Sequence, residues 1–173
     1  NDSPDLVGAS IFYSFRGSST NYYFPLDFTV GGAVASFGRR LEWPDDFFRV
    51  MWSAKFMQKE YEGSQSDIDN YIGGLQKTRG ISLSQVLSRD SRNRAEFPTN
   101  GSTFILENTY SGGFLGGNEN FQKHMLTLDW FTPTFSKFVL YNSVKLGVIK
   151  TIDVGDDIQS FVPFDERFIM GGN

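Results

Sequence analysis

The feature that most constrains this chain is a set of long stretches in which apolar and polar residues alternate. In the last of them, one parity holds Phe138, Leu140, Val144, Leu146 and Val148, and the other holds Tyr141, Ser143, Lys145 and Gly147. A period of two predicts β-strands with one apolar and one polar face. Strands of soluble domains usually have about five or six residues, whereas a strand that crosses a bilayer needs about nine to eleven. The length of these stretches therefore predicts strands that span a membrane.

The composition agrees with a β-barrel and argues against a helical membrane protein. The chain is 39% hydrophobic with mean hydropathy -0.30, and no apolar run approaches the roughly eighteen residues of a transmembrane helix. A barrel whose strands alternate between lipid and a polar interior has a low mean hydropathy of this kind. The counts of Phe (18), Gly (18) and Tyr (7) favour an all-β fold.

Few residues are candidates for catalysis or metal binding. The chain has no cysteine and one histidine, His124, which lies on an apolar parity near a strand start. Ser88, Asp90 and Ser91 have no histidine partner that could serve as a base. A net charge of -4 gives no reason to expect nucleic acid as a partner. We therefore predict no enzymatic activity, no catalytic residue, no cofactor and no metal.

The alternation predicts seven strands, at Leu6 to Phe15, Leu26 to Gly38, Phe47 to Tyr61, Thr78 to Ser88, Ser102 to Ser111, Phe121 to Thr132 and Lys137 to Lys150. Long polar loops rich in Gly, Ser and Asn alternate with shorter connections that carry Pro44, Pro98 and Pro133. Long outer loops and short periplasmic turns are typical of outer-membrane barrels. The predicted fold is thus all-β, an antiparallel up-and-down transmembrane β-barrel with the proline-bearing turns at the periplasmic side.

The alternation also predicts which side chains face lipid, because a charge at the bilayer midplane costs about 2 to 4 kcal/mol. We expect outward positions at Val7, Ala9, Ile11, Tyr13, Phe28, Val30, Val34, Phe48, Val50, Trp52, Ala54, Phe56, Ile81, Leu83, Leu87, Phe104, Leu106 and Tyr110. The predicted lumen-facing charges are Arg49, Lys55, Glu107, Asp129 and Lys145. A further hypothesis is that Glu107 or Asp129 pairs with a lumenal Arg or Lys.

Seven strands cannot close a barrel of the bacterial kind. Every backbone group in lipid must be paired, and single-chain bacterial barrels have even strand numbers from eight upward. The chain also begins at Asn1 rather than at Met. We therefore expect residues 1–173 to be one part of a larger barrel domain.

Three segments resemble the BamA family of outer-membrane β-barrel assembly proteins, in the bacterial surface antigen superfamily. The first runs from Leu87 to Arg92 and continues in Phe97–Ser102, with Arg89, Asp90, Arg92, Pro98 and Gly101 as its motif turn. We expect Asp90 to tie this turn together by ion pairs with Arg89 and Arg92. The second, Pro163–Asn173, is similar to the start of the family's sixth extracellular loop and holds Glu166, Arg167, Phe168, Gly171 and Gly172. The third, Gly38–Phe48, resembles a periplasmic turn of Bacteroidetes-like members.

The resemblance implies a function and a place in the barrel. It places the strands as about the fifth to the eleventh of sixteen, without the family's POTRA domains, and implies a sixth loop that folds back into the lumen. It further implies folding and insertion of outer-membrane proteins without a cofactor. The implied partners are nascent outer-membrane proteins, outer-membrane lipids and accessory assembly lipoproteins, and the implied location is the bacterial outer membrane.

Other readings fit parts of the pattern. Within the same superfamily, a two-partner secretion transporter or a translocation-assembly protein shares the barrel. From another class, a soluble carbohydrate-binding β-sandwich also has strands that alternate, with a dry core in place of lipid.

Overall fold

A computed structural model of the chain describes residues 5–16, 26–154, 162–163 and 166–168. Its strands are β1 (Leu6–Arg16), β2 (Asp27–Arg40), β3 (Phe48–Glu62), β4 (Lys77–Asp90), β5 (Gly101–Ser111), β6 (Phe121–Pro133) and β7 (Val139–Thr151). One helix, α1 (Gln65–Ile72), lies between β3 and β4, and a short 3-10 helix, Gly113–Leu115, follows β5. The seven predicted strands are confirmed, with ends within three residues of those expected.

The strands form a single antiparallel sheet in the order of the sequence. Each has 11 to 15 residues, which is the length that a tilted strand needs to cross a bilayer. The described residues form one sheet, whereas a β-sandwich needs a second sheet packed on the first. The up-and-down all-β fold is confirmed, and the open sheet is consistent with a segment of a barrel.

The strand register divides the side chains between two faces. Residues that lie directly opposite each other on neighbouring strands share a face. One row of paired residues contains Val50, Leu87, Leu106, Leu126 and Leu146. The next row, on the other face, contains Arg49, Ser88, Ile105, Thr127 and Lys145. We call these the apolar face and the polar face.

Side chains along the apolar face are exposed or half-buried, apart from Val50, which is 5% exposed. Ile11 is 89% exposed, Leu146 60% and Leu83 45%. Soluble monomers rarely expose contiguous apolar patches larger than a few hundred Å². The register places all of the predicted lumen-facing charges, Arg49, Lys55, Glu107, Asp129 and Lys145, on the polar face. An apolar face of this extent fits hydrocarbon rather than water.

The facing predicted for β2 is wrong. Val34 lies opposite Lys55 and Val30 lies opposite Lys59, so Phe28, Val30 and Val34 belong to the polar face. Small residues take the apolar face instead, since Ala35 pairs with both Ala9 and Ala54. The apolar side chains of β2 have a reason to point inward, because Phe28 packs against a buried cluster on that side.

This buried cluster depends on α1, which the sequence pattern did not predict. Its members are Leu26, Tyr61, Ile68 and Ile72. The Ser64 side chain caps the helix by accepting a hydrogen bond from the Asp67 backbone N–H at 3.3 Å, and Gly73 ends it in the left-handed region with φ 64°. No helix among the described residues is long and apolar enough to cross a membrane.

The register of β2 yields a direct stability test. We expect Ala35→Arg to lower the free energy of unfolding in lipid vesicles by about 2 to 4 kcal/mol, because it puts a guanidinium into hydrocarbon. The matched variant Val34→Arg should cost no more than about 1 kcal/mol, the usual penalty for a like charge opposite Lys55. Denaturant titration of the full-length protein measures both. A larger loss of stability for Val34→Arg than for Ala35→Arg would show that Val34 faces lipid, in contradiction to the register.

Candidate functional site

Two groups of interacting side chains lie one at each end of the strands. The turn cluster consists of Asp45, Arg89, Asp90, Ser91, Arg92 and Ser102, beside the proline-bearing connections. The loop cluster consists of Lys59, Thr78, Glu119 and Asn120, at the opposite end. A third feature, the docked segment, comprises the described residues 162–163 and 166–168.

Arg89 ties two turns together in the turn cluster. Its Nε and Nη2 each lie 2.8 Å from Asp45 Oδ2, and its Nη1 donates to Ser91 Oγ at 3.0 Å. The guanidinium also lies 5.5 Å from the ring centroid of Phe47, which adds a cation–π contact. The sequence led us to expect Asp90 as the partner of Arg89; the structure shows Asp45, from the preceding turn.

The second arginine of the motif closes its own turn. Arg92 Nε and Nη2 donate to the two carboxylate oxygens of Asp90 at 2.9 and 2.7 Å, so this predicted ion pair is present. Gly101 has φ 104°, and a Cβ there would come within 2.3 Å of the Ser91 carbonyl oxygen. Only glycine fits this position without strain. Pro98 is half-buried in the same turn.

The two ion pairs shift the pKa values of groups in the turns. The hydrogen bond from Arg89 holds the pKa of Asp45 below its ordinary value of 3.8, assisted by the Phe47 backbone N–H. The hydrogen bond to Asp90 raises the pKa of Arg92 above its ordinary value. Both groups are therefore charged at any physiological pH, and the turn cluster is held by ion pairs across that range.

The loop cluster is a buried ion pair. Lys59 Nζ lies 3.4 Å from Glu119 Oε1, and each side chain is only 3% exposed. Thr78 Oγ1 donates to the same oxygen at 2.9 Å. Gly80 makes room for the carboxylate, since a Cβ there would lie 2.6 Å from Glu119 Oε2. The connection between β5 and β6 thus folds over β4, where Gly117 forms a bridge with Gly80.

The docked segment lies on the polar face of β6 and β7. Lys123 Nζ donates to the backbone oxygen of Glu166 at 2.9 Å and to its Oε2 at 3.0 Å, and lies 5.3 Å from the ring centroid of Phe168. The ring of Phe168 sits on Gly147, where a Cβ would come within 2.5 Å of it. The chain after β7 therefore turns back onto the polar face.

The remaining predicted residues have varied surroundings. Arg167 Nε donates to the Val162 carbonyl at 3.0 Å and so helps shape the docked segment. Gly171 and Gly172 lie outside the described residues. Asp129 accepts hydrogen bonds from Thr103 Oγ1 at 3.1 Å and Tyr141 Oη at 3.0 Å. Within the described ranges, neither Asp129 nor Glu107 has an Arg or Lys nitrogen within salt-bridge distance, but Asp129 interacts electrostatically with Lys145 and Arg92. The hypothesis that one of the two acids pairs with a lumenal Arg or Lys stays a prediction.

Several residues of the site were not predicted. Glu119 and Asn120 lie in a connection without periodicity, and their burial depends on how that connection folds over β4. Lys123 has the same parity as Thr127 and Asp129 in the sequence. This parity indicates the inner side but does not predict the contact of Lys123 with Glu166. Among the described residues, no group of three or more His, Cys, Asp or Glu side chains is placed to hold a metal ion.

Comparison with known proteins gives the class to which this architecture belongs. The sequence-family model of the Omp85 superfamily domain matches residues 2–173. The chain belongs to the Omp85 superfamily, and its location is the bacterial outer membrane.

A curated relative gives a more particular likeness. The chain is 31% identical over 111 residues to the outer membrane protein assembly factor BamA of Nitratidesulfovibrio vulgaris (strain Hildenborough), a match over 61% of this chain and 13% of that protein. The matched part thus spans about an eighth of the relative's length. The family expected from the three sequence segments is confirmed.

The Asp45–Arg89 pair makes stability depend on pH in a defined direction. Because the folded-state pKa of Asp45 lies below its unfolded value of 3.8, the pair's contribution is fully present above that value and is lost as pH falls through the folded-state pKa. We expect the difference in denaturation midpoint between the wild type and Asp45→Asn to be constant above pH 3.8 and to shrink as the pH falls below that value through the folded-state pKa. A difference that stays constant below that value would contradict the assignment.

The Lys123–Glu166 pair is testable through the docked segment. We expect Glu166→Gln to speed tryptic cleavage after Arg167 roughly fivefold, which corresponds to about 1 kcal/mol for a partly exposed pair. Glu107→Gln is a matched control, because it removes a carboxylate from the same face without touching the segment. Equal cleavage rates in the two variants would show that the pair does not hold the segment.

Proposed function

We propose that the protein is an outer-membrane assembly factor that folds β-barrel proteins and inserts them into the bacterial outer membrane. In this proposal residues 1–173 form part of a transmembrane barrel, about the fifth to the eleventh of sixteen strands and the start of the sixth extracellular loop. The lumen-facing charges are Arg49, Lys55, Glu107, Asp129 and Lys145. The activity requires no catalytic residue and no cofactor.

One observation carries the proposal: a superfamily domain match over residues 2–173 coincides with a sheet that has one uncovered apolar face. The relative is an outer membrane protein assembly factor, which supports the proposed activity. The docked segment adds support, because Phe168 and Glu166 lie on the polar face at the position where the family's sixth loop is expected to fold inward.

The physics of the sheet suits this activity. A client strand has unpaired backbone N–H and C=O groups, and an open sheet edge can pair with them by strand addition. Strands β2 to β6 are paired on both sides, so they cannot receive a client. In this scheme they form a permanent wall, and clients pair at a seam elsewhere in the barrel.

The wall then has two tasks. Its apolar face contacts outer-membrane lipids, and its polar face holds the docked segment through Lys123 and Gly147. Nascent outer-membrane proteins are the proposed clients, and accessory assembly lipoproteins are the proposed partners. A secretion or translocation-assembly role within the superfamily is the alternative outcome of the experiment below.

Reconstitution tests the function directly. We expect the full-length protein in proteoliposomes to speed the folding of a urea-denatured small outer-membrane barrel about tenfold or more, a barrier reduction of about 1.4 kcal/mol. Heat-modifiable gel migration measures the folded fraction, and liposomes that contain an unrelated porin serve as the control. Transport of a secreted polypeptide without any acceleration of barrel folding would instead indicate a two-partner secretion transporter.

A further inference from the structure

A basic cavity opens on the polar face beside the turn cluster. Its volume is about 500 Å³, which is within the range of sites that take organic ligands. The lining includes hydroxyl groups of Ser88 and Thr103, and its charged residues are Arg40, Arg49, Arg89, Arg92 and Arg94 against Asp46 and Asp90. The whole chain has a net charge of -4, so a local excess of arginine runs against its overall composition.

Two of the acids near the cavity are already engaged in ion pairs with arginines. Asp45 is paired with Arg89, and Asp90 forms a two-point contact with Arg92. In the part of the chain that the structure describes, no carboxylate lies within ion-pair distance of Arg49 or Arg94. Five arginines against Asp45, Asp46 and Asp90 therefore leave the cavity with net positive charge.

The geometry of two strands makes this excess costly. Arg40 and Arg49 lie directly opposite each other on β2 and β3, and like charges at such positions repel. Arg40 Nε donates a hydrogen bond to the Asp46 carbonyl oxygen at 2.6 Å. Because a carbonyl carries no net charge, this bond does not neutralise the guanidinium. An anion placed between the two guanidinium groups would turn this repulsion into attraction.

We propose that this cavity binds an extended peptide segment that carries carboxylates at alternate positions. In an extended chain, side chains at alternate positions point the same way, so two carboxylates can enter the cavity while Ser88 and Thr103 meet the peptide backbone. A peptide fits better than an anionic lipid, because the cavity lies on the face opposite the exposed apolar side chains that contact lipid. The inference does not depend on the proposed assembly function.

Binding of a defined probe tests the proposal. The probe is a fluorescein-labelled peptide in which Glu alternates with Ser, and its matched partner carries Gln in place of Glu. Fluorescence anisotropy with the full-length protein in neutral detergent should show binding of the Glu peptide, weakening as salt is raised, and at least tenfold weaker binding of the Gln peptide. Double variant R40Q/R49Q should weaken binding of the Glu peptide at least tenfold.

Two controls separate binding from structure and from general charge. Double variant R79Q/K150Q removes two positive charges at the opposite end of the strands, and its affinity should stay within twofold of the wild type. The denaturation midpoint of R40Q/R49Q should equal or exceed that of the wild type, since the substitution removes a repulsion.

Equal affinity of the Glu and Gln peptides would overturn the proposal. So would an R40Q/R49Q variant that binds the Glu peptide as well as the wild type. Competition of the probe by phosphatidylglycerol micelles but not by unlabelled Glu peptide would assign the cavity to a lipid headgroup and likewise overturn the proposal.

Discussion

The requirement that every backbone hydrogen-bonding group be paired organises this protein. In hydrocarbon an unpaired N–H or C=O group costs several kcal/mol, and the continuous ladder from β1 to β7 pairs these groups strand by strand. The ladder also fixes register, because a shift by one residue would exchange the two faces. Every further feature, including the uncovered apolar face, the docked segment and the basic cavity, follows from that register.

The polar face combines rigid attachment with unbalanced charge. At one end the Lys59–Glu119 pair is nearly fully buried, and loss of one partner from such a pair usually costs about 3 to 5 kcal/mol. At the other end, Arg89 and Arg92 each form an ion pair with an aspartate. Arg40 and Arg49 lie opposite each other there and, among the described residues, form no ion pair. The first end therefore holds the chain's own connection in place, whereas the second is suited to an external anion. The two ends of the strands therefore differ in kind: one is stabilised by a buried ion pair, and the other has arginine side chains that can bind an anion.

Much of the fold could be predicted from the sequence, because the alternation of apolar and polar residues predicts strands with one face toward lipid and the other toward water. The strands and the facing of β1 and β3 to β7 follow from it. The facing of β2 does not, since Phe28 and Val34 are apolar but lie on the polar face. There Phe28 packs against the cluster that Tyr61 and α1 form. Helix α1 was hidden by a Gly- and Ser-rich context, although Ser64 and Gly73 are ordinary capping residues. Contacts across the sheet, such as Arg89 with Asp45, depend on how two turns meet and leave no periodic signal.

The central claim is that one face of the sheet contacts lipid and the other contacts an aqueous interior. Quenching of a fluorophore by brominated lipids, with single cysteines placed at Ala35, Leu126 and Leu146 and at Val34, Thr127 and Lys145, measures this most directly. The account predicts strong quenching at the first three positions and weak quenching at the last three. Equal quenching on both parities, or strong quenching at Thr127 and Lys145, would contradict it.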